Sequence, residues 1–282
     1  MTSMKAATSD KYRLGFIGGG KLAGSVIRGL VRANFCSPVE ILASEPYAEA
    51  RETLQRELGI SVTTGNVEVA EKADIILIGV KPGVVLSVVD ELAPLVADKQ
   101  VISLAAGVRL SSMEAKAQAR FMRAMTNTPS AICRAATAIA RGSHTTDDDV
   151  DRARKIFAAI GIVLEVAEDQ IDAVTALSGS GPAFLYTVIE ALAAGGTKCG
   201  LPPDVALALA TQTVLGAAQL ALESKLSPEE LRRMVVTPGG TTAAGLAAMQ
   251  KFRSSEGLVA AVEAAAARGR EMAEEVTRAS SP

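Results

Sequence analysis

Residues 15–25 read GFIGGGKLAGS, and this stretch decides the fold. Gly18, Gly20 and Ala23 satisfy the pattern G-x-G-x-x-G/A. The run LGFI precedes it as a strand would, and LAGSVIRGLVRA follows with the periodicity of a helix. In that context each small residue has a task. Gly18 permits the tight turn, Gly20 lets a pyrophosphate approach the backbone, and Ala23 lets the helix pack close to the strand with its N-terminus facing the phosphates.

Working outward, short β-branched runs alternate with amphipathic stretches as far as Val166. VEILA precedes AEARETLQREL, DIILIGV precedes VVLSVVDELAPLV, and QVISLAA follows. This βαβα rhythm predicts an α/β Rossmann-type domain with a mostly parallel sheet. DIILIGV and QVISLAA are continuously apolar, as strands buried on both faces are. TAIAR and IVLEV add two strands around the helix DDDVDRARKIFAAIG, whose acidic start suits a helix N-terminus. Beyond Glu168 the strand pattern stops and helices follow, with Pro182, Pro203 and Pro228 at their starts and Gly195 or Gly200 at an end. The expected organisation is an arm at 1–12 without order, a nucleotide-binding domain at 13–168, and an all-α C-terminal domain at 169–282.

Composition narrows the partners. Of 282 residues 49% are hydrophobic, and 29 basic against 31 acidic residues leave a net charge of -2, so nothing marks a nucleic-acid or anionic-membrane binder. MTSMKAATSDKY contains no apolar core of a leader, and no run reaches the roughly 18 consecutive apolar residues of a membrane span. Cys36, Cys133 and Cys199 lie far apart without C-x-x-C spacing, which speaks against a disulfide framework or a metal site and for a reducing, cytoplasmic setting. ALALATQTVLGAAQLAL is apolar around most of its circumference. Either a homodimer interleaves these helices and buries it, or one copy folds around it as a hub.

The end of the second strand, LASEPYAEAR, carries the choice of dinucleotide. Glu45 stands near the spacing of a ribose-binding acid and favours NAD, whereas Ser44 and Arg51 would suit a 2′-phosphate, so the cofactor is NADPH or NADH. No strong catalyst accompanies it. His144, the single histidine, sits in RGSHTTDDDVD as a surface turn residue, and no GxSxG, HExxH or ligand cluster occurs. What remains are two glycine- and hydroxyl-rich interruptions, ALSGSGPAFLY and VVTPGGTT, and the segment RAMTNTPS at a strand end. In PGGTT the glycines and the following helix start offer backbone N–H groups to an anion. A simple N-cap would need one threonine and no pair of glycines.

In order, GFIGGGKLAG, VKPG, SLAAGV, RAM-x-NTP, LSGSGPAF, GLP and TPGGTT resemble the pyrroline-5-carboxylate reductases from about Arg13 to the last long helix. The resemblance implies reduction of the ring imine of 1-pyrroline-5-carboxylate to L-proline, the last step of proline synthesis, with NADPH or NADH as donor. It also implies roles. Gly239, Gly240, Thr241 and Thr242, with Thr237 beside them, would hold the substrate carboxylate, and the Thr242 hydroxyl would lie close to the ring nitrogen. Ser178, Gly179, Ser180, Gly181 and Pro182 would form a bend facing the nicotinamide, bordered by Met125, Asn127 and Pro129. Lys21 and Leu22 would join the glycines at the pyrophosphate, Val80, Lys81 and Pro82 the ribose side, and Ala105 and Ala106 the pyrophosphate or nicotinamide ribose. Asn66 would lie by the adenosine ribose. Three departures stand out. Thr126 replaces a usual proline, which would loosen the nicotinamide loop; KFRSSEGL lacks the usual Gly-Phe-Arg order, which would change how the final helix enters; and Glu45, where a small hydroxyl residue is common, would repel a 2′-phosphate.

The resemblance leaves competitors. A hydroxyacid dehydrogenase would need a helical catalytic lysine, for which Lys198 is the candidate. A nucleotide sensor would need no carboxylate loop, and a purely structural dimer would need no Gly18–Ala23 motif.

Overall fold

The computed structural model describes residues 11–279; the arm expected at 1–12 falls almost wholly outside the described residues. Eight strands form one sheet: β1 (Tyr12–Ile17), β2 (Ile41–Ser44), β3 (Ser61–Thr63), β4 (Ala73–Ile78), β5 (Gln100–Ser103), β6 (Arg120–Met125), β7 (Ala135–Arg141) and β8 (Gly161–Glu165). Their spatial order is β3-β2-β1-β4-β5-β6-β7-β8. All neighbours are parallel except β6 and β7. The chain runs outward through β1, β2 and β3 and then returns to the other side of β1 with β4. That reversal opens a crevice at the carboxyl ends of the strands, where open α/β sheets take their ligands.

The period-2 alternation of strands sorts the core into two layers. Phe16, Leu77 and Met122 point to one face, where α1 (Lys21–Arg32), α2 (Ala48–Leu58) and α6 (Asp147–Ala158) add Ile27, Leu54 and Phe157. Ile17, Ile76, Ile78 and Phe121 point to the other, where α3 (Asn66–Lys72), α4 (Pro82–Leu92) and the short α5 (Leu110–Glu114) add Val69, Val85 and Met113. Burial on both sides is why these strands read as unbroken apolar runs. Helix α6 begins as expected, with Thr146 and Asp149 capping each other and three aspartates in the first turn.

The described chain divides into two compact units, but not at Glu168. One unit runs up to Ser180 and takes in the chain again from Ala265; the other is Gly181–Ala264. The expected border at 168/169 differs because α7 (Ile171–Val174) is anchored in the first unit. Ile171 is fully buried beside Met125 and Ala140, and Asp172 pairs with Arg109 at 3.0 Å. The second unit holds α8 (Gly181–Lys198), α9 (Pro203–Glu223), α10 (Pro228–Met234), α11 (Thr241–Lys251) and the beginning of α12 (Ser254–Ala279). Pro203 and Pro228 open helices and Pro182 is the second residue of α8, while Gly200 rather than Gly195 makes the turn after α8, at φ +100°. At KFRSSEGL the chain turns through Arg253 in the left-handed region, φ +52°, directly before α12.

Helix α9 holds no unbroken run of 18 apolar residues, yet its average hydropathy is high. With a mean hydropathy of 1.6 it is long and apolar enough to cross a membrane by length and composition. Thr211, Gln212 and Thr213 interrupt the apolar run without much lowering its average. Ala206 and Ala210 are its only buried residues, against α8, while Leu207, Leu209 and Leu215 are at least half exposed.

Candidate functional site

The nucleotide cradle begins where β1 ends. Gly18 sits at φ +90°, a conformation that resists any side chain, and its N–H donates to Ser44 O at 2.9 Å. A Cβ there would come within 2.9 Å of Val80 Cγ1, and one on Gly79 within 2.6 Å of Ala23 Cβ. The floor of the loop is therefore packed solid. Gly20 is the opposite: a Cβ on it would meet nothing within 4 Å. Gly20 caps α1 with no side-chain bond, and the first intrahelical donor after it is Gly24 N, to Gly20 O at 2.7 Å. Lys21, Leu22 and Ala23 thus present the unpaired N–H groups of a helix start beneath open space. This geometry fits a pyrophosphate, which needs donors, a positive helix end and close backbone approach.

The other residues expected to bind the cofactor lie along the same edge of the sheet. Ser44 and Glu45 end β2, and Asn66 opens α3 beside them, accepting from Ser44 Oγ at 2.8 Å. Val80 and Lys81 follow β4, with Pro82 as the first residue of α4. Ala105 and Ala106 follow β5, Ala105 N lying 3.3 Å from Ser103 Oγ. Met125 ends β6, and Asn127 comes two residues later. Because β1, β2, β3, β4, β5 and β6 run parallel, every one of these positions lies at a carboxyl end.

At the far end of this edge the chain around Ser178 meets the loop after β6. Asn127 Nδ2 donates to Ser178 O at 3.0 Å, and a Cβ on Gly179 would lie 3.5 Å from Met125 Sδ. Thr175–Gly179 is wound as a π-helical turn, in which Ser180 N reaches back to Thr175 O at 2.8 Å. Such turns insert an extra residue and concentrate at functional sites. Thr126, where a proline is usual, is 1% exposed, and its hydroxyl pairs with that of Thr137 at 2.8 Å, which ties this loop to β7. Thr137 and Gly79 were not legible as site residues, since neither belongs to a glycine motif or to RAMTNTP.

The residues expected to bind substrate do not all fall in one stretch of chain. Ser180 ends the first unit; Gly181, Pro182, Thr237 and the glycine-threonine loop belong to the second. There Gly239 turns at φ +71° and Gly240 caps α11 without a side-chain bond, its N–H donating to Thr237 O at 2.9 Å. A Cβ on Gly240 would strike Thr237 Oγ1 at 2.3 Å. Thr241 and Thr242 are the first two residues of α11, so their N–H groups are those a helix start leaves unpaired. The arrangement fits a small carboxylate. Lys198 is the exposed last residue of α8, His144 is exposed, and no group of metal-ligating side chains occurs among the described residues.

A mostly parallel sheet with this strand order, a glycine cradle and a helical second unit define a nicotinamide-dinucleotide oxidoreductase. The comparisons make this specific. The model described as pyrroline-5-carboxylate reductase dimerisation matches residues 168–272, and the one described as NADP oxidoreductase, coenzyme F420-dependent, matches 13–107. The pyrroline-5-carboxylate reductase of Glycine max is 40% identical over 266 residues, covering 94% of this chain and 97% of the relative. Among solved structures, the NADP-bound pyrroline carboxylate reductase of Plasmodium falciparum superposes with a TM-score of 0.86 at 28% identity, covering 94% of this chain and 99% of that one. The pyrroline-5-carboxylate reductase of Coxiella burnetii gives 0.83 at 34%, covering 93% and 98%. The chain belongs to the pyrroline-5-carboxylate reductase family.

Proposed function

We propose that this chain reduces the ring imine of 1-pyrroline-5-carboxylate to L-proline, using NADH or NADPH. The single observation that carries the reading is the second unit's uncapped, doubly glycine-flanked start of α11, an anion site that a nucleotide-binding protein without an acidic substrate would not need. Relatives of the same family over nearly the whole chain support it.

The reduced nicotinamide supplies a hydride. The chain's own task is to hold two partners still. Gly18, Gly20, Lys21, Leu22 and Ala23 hold the pyrophosphate, Ser44, Glu45 and Asn66 the adenosine ribose, and Val80, Lys81, Pro82, Ala105 and Ala106 the span between. Met125, Asn127 and the π-helical turn border the nicotinamide. Gly239, Gly240 and Thr241 bind the substrate carboxylate through backbone N–H groups, with Thr237, Ser180, Gly181 and Pro182 completing the substrate residues. Thr242 is the catalytic hydroxyl: it hydrogen-bonds the ring nitrogen and relays its proton. A cyclic imine with a pKa not far from neutrality takes its proton before the hydride arrives, so no stronger acid is required of the protein. Alignment alone accounts for about 7–11 kcal/mol in well-oriented reactions. This explains a site built of glycines and hydroxyls.

Self-association goes with the dimerisation match at 168–272. In this reading the copies meet as a homodimer through the second unit, burying Leu207, Leu209 and Leu215, an arrangement compatible with a dimer alone or with a ring of dimers. The enzyme works in the cytoplasm, in keeping with three free cysteines.

The test is absorbance at the nicotinamide band with and without racemic 1-pyrroline-5-carboxylate at neutral pH. Oxidation that depends on the imine is the expected result. Nucleotide binding without oxidation would reduce the chain to a sensor.

A further inference from the structure

The corner beyond β2, where the adenosine ribose lies in the reading above, is more selective than the rest of the cradle. Glu45 is 6% exposed, and its carboxylate is fixed on both sides: Oε2 accepts from Gly19 N at 3.0 Å and Oε1 from Tyr47 N at 3.2 Å. A carboxylate offers about four lone-pair positions. Two are taken, leaving one on each oxygen. Of the groups that could receive a phosphate, Ser44 is engaged and Arg51 commits one of its three guanidinium nitrogens. Ser44 is 1% exposed and commits its single hydrogen to Asn66 Oδ1 at 2.8 Å. Arg51 turns Nη1 onto the carbonyls of Glu45 and Pro46, at 2.7 and 2.8 Å.

We propose that Glu45 makes this enzyme select NADH over NADPH, its held carboxylate accepting the hydroxyls of an unmodified adenosine ribose and repelling a 2′-phosphate. The chemistry is complementary in one case and opposed in the other. A ribose diol brings two donors to the two remaining acceptor positions. A 2′-phosphate brings acceptors only, with about -1.5 to -2 charges at neutral pH, to a group that is itself anionic and cannot withdraw without stranding Gly19 N–H. The same carboxylate ties the end of β2 to the pyrophosphate loop, so selectivity and the shape of the cradle rest on one side chain.

The inference rests on the nucleotide cradle of the proposed function, and direct binding tests it apart from catalysis. NADH and NADPH are titrated into the purified enzyme by calorimetry without imine, and kcat/KM is then measured with each. The wild type should bind NADH at least about tenfold more tightly, a gap of about 1.4 kcal/mol. The gap should shrink as salt rises, because the repulsion is screened. Glu45→Gln keeps an oxygen for Gly19 N–H and should bring the two affinities within about threefold of each other; Glu45→Ser should favour NADPH. A thermal melt confirms that each variant is folded. NADPH bound as tightly as NADH by the wild type, or a ratio unmoved by Glu45→Gln, overturns the inference while leaving imine reduction standing. NADH-selective binding without imine turnover would sustain the inference and overturn the activity.

Discussion

Arg120 Nε lies 2.9 and 3.1 Å from the two carboxylate oxygens of Asp149, which is completely buried. The pair joins β6 to the first turn of α6. Thr146 donates to the same carboxylate through N and Oγ1, Arg152 adds a further bond, and Gln100 donates to the Asp149 carbonyl at 2.7 Å. Burial by itself would push the Asp149 pKa up. The bonds from Thr146, Arg152 and Arg120 outweigh it and hold the group at about 2, below its ordinary 3.8. A depressed carboxylate stabilises the fold above its unfolded value and loses that contribution as pH falls through the folded one. About 2 kcal/mol should therefore disappear between pH 3.8 and pH 2. Asp149→Asn should cost about 2–4 kcal/mol at neutral pH and flatten that acid slope, as read by urea midpoints at several pH values.

Gly18 and Gly20 should fail differently. Gly20→Ala adds a methyl group where nothing lies within 4 Å, so the melting temperature should hold while nucleotide affinity falls about tenfold or more, the methyl standing where a pyrophosphate must approach. Gly18→Ala forces φ +90° on a residue with a Cβ and presses it on Val80, costing about 1–3 kcal/mol of stability. Melting curves and calorimetric titration on both variants separate the effects. A shared pattern would mean that Gly20 is structural.

Thr242→Ala should lower kcat/KM for the imine by about a hundredfold, the scale of a lost acid-base group, with nucleotide affinity unchanged. Thr242→Ser, which keeps the hydroxyl, should recover most of it. Recovery that fails in the serine variant would point to the methyl group, and hence to packing.

Exposed leucines on α9 should set the assembly state. Leu209 is 55% exposed, and Leu209→Glu would place a charge in any apolar interface there. Sedimentation velocity at micromolar concentration should give a dimer or a multiple of it for the wild type, and dissociation for the variant. An unchanged species would move the interface off this face.

Six of the eight strands were legible, most clearly where parallel strands buried on both faces leave unbroken apolar runs, as DIILIGV does; β8 was legible although Ile162 and Leu164 are more than half exposed. Only the end of β6 was anticipated, through RAMTNTPS. β3 escaped because Ser61–Thr63 is three half-buried residues with no period to read. The antiparallel step from β6 to β7 has no local sequence mark. The cradle was legible because its glycines act within a few residues of one another. Charge pairs such as Arg123 with Glu168, 45 residues apart, were not, since a buried arginine on a strand looks like any exposed one. Nor could spacing show that Glu45 is clasped by Gly19 N–H, or that Thr126 finds Thr137. The division at Ser180 lies beyond the expected border at 168/169 because the helical pattern begins before the chain leaves the first unit's core.

The return of the chain at Ala265 bears on how this architecture can be taken apart. Ala273, from the last helix, is 5% exposed, and a Cβ on Gly107 would touch Met272 Cβ at 3.0 Å. The stretch that follows the helical unit is thus a wall of the nucleotide-binding unit. Gly181–Ala264 is, in effect, an insertion with two points of attachment. A fragment cut at Ser180 would lose this wall, whereas one that also keeps residues 265–279 retains it. A transplantable nucleotide-binding module made from this protein must therefore be stitched from two segments.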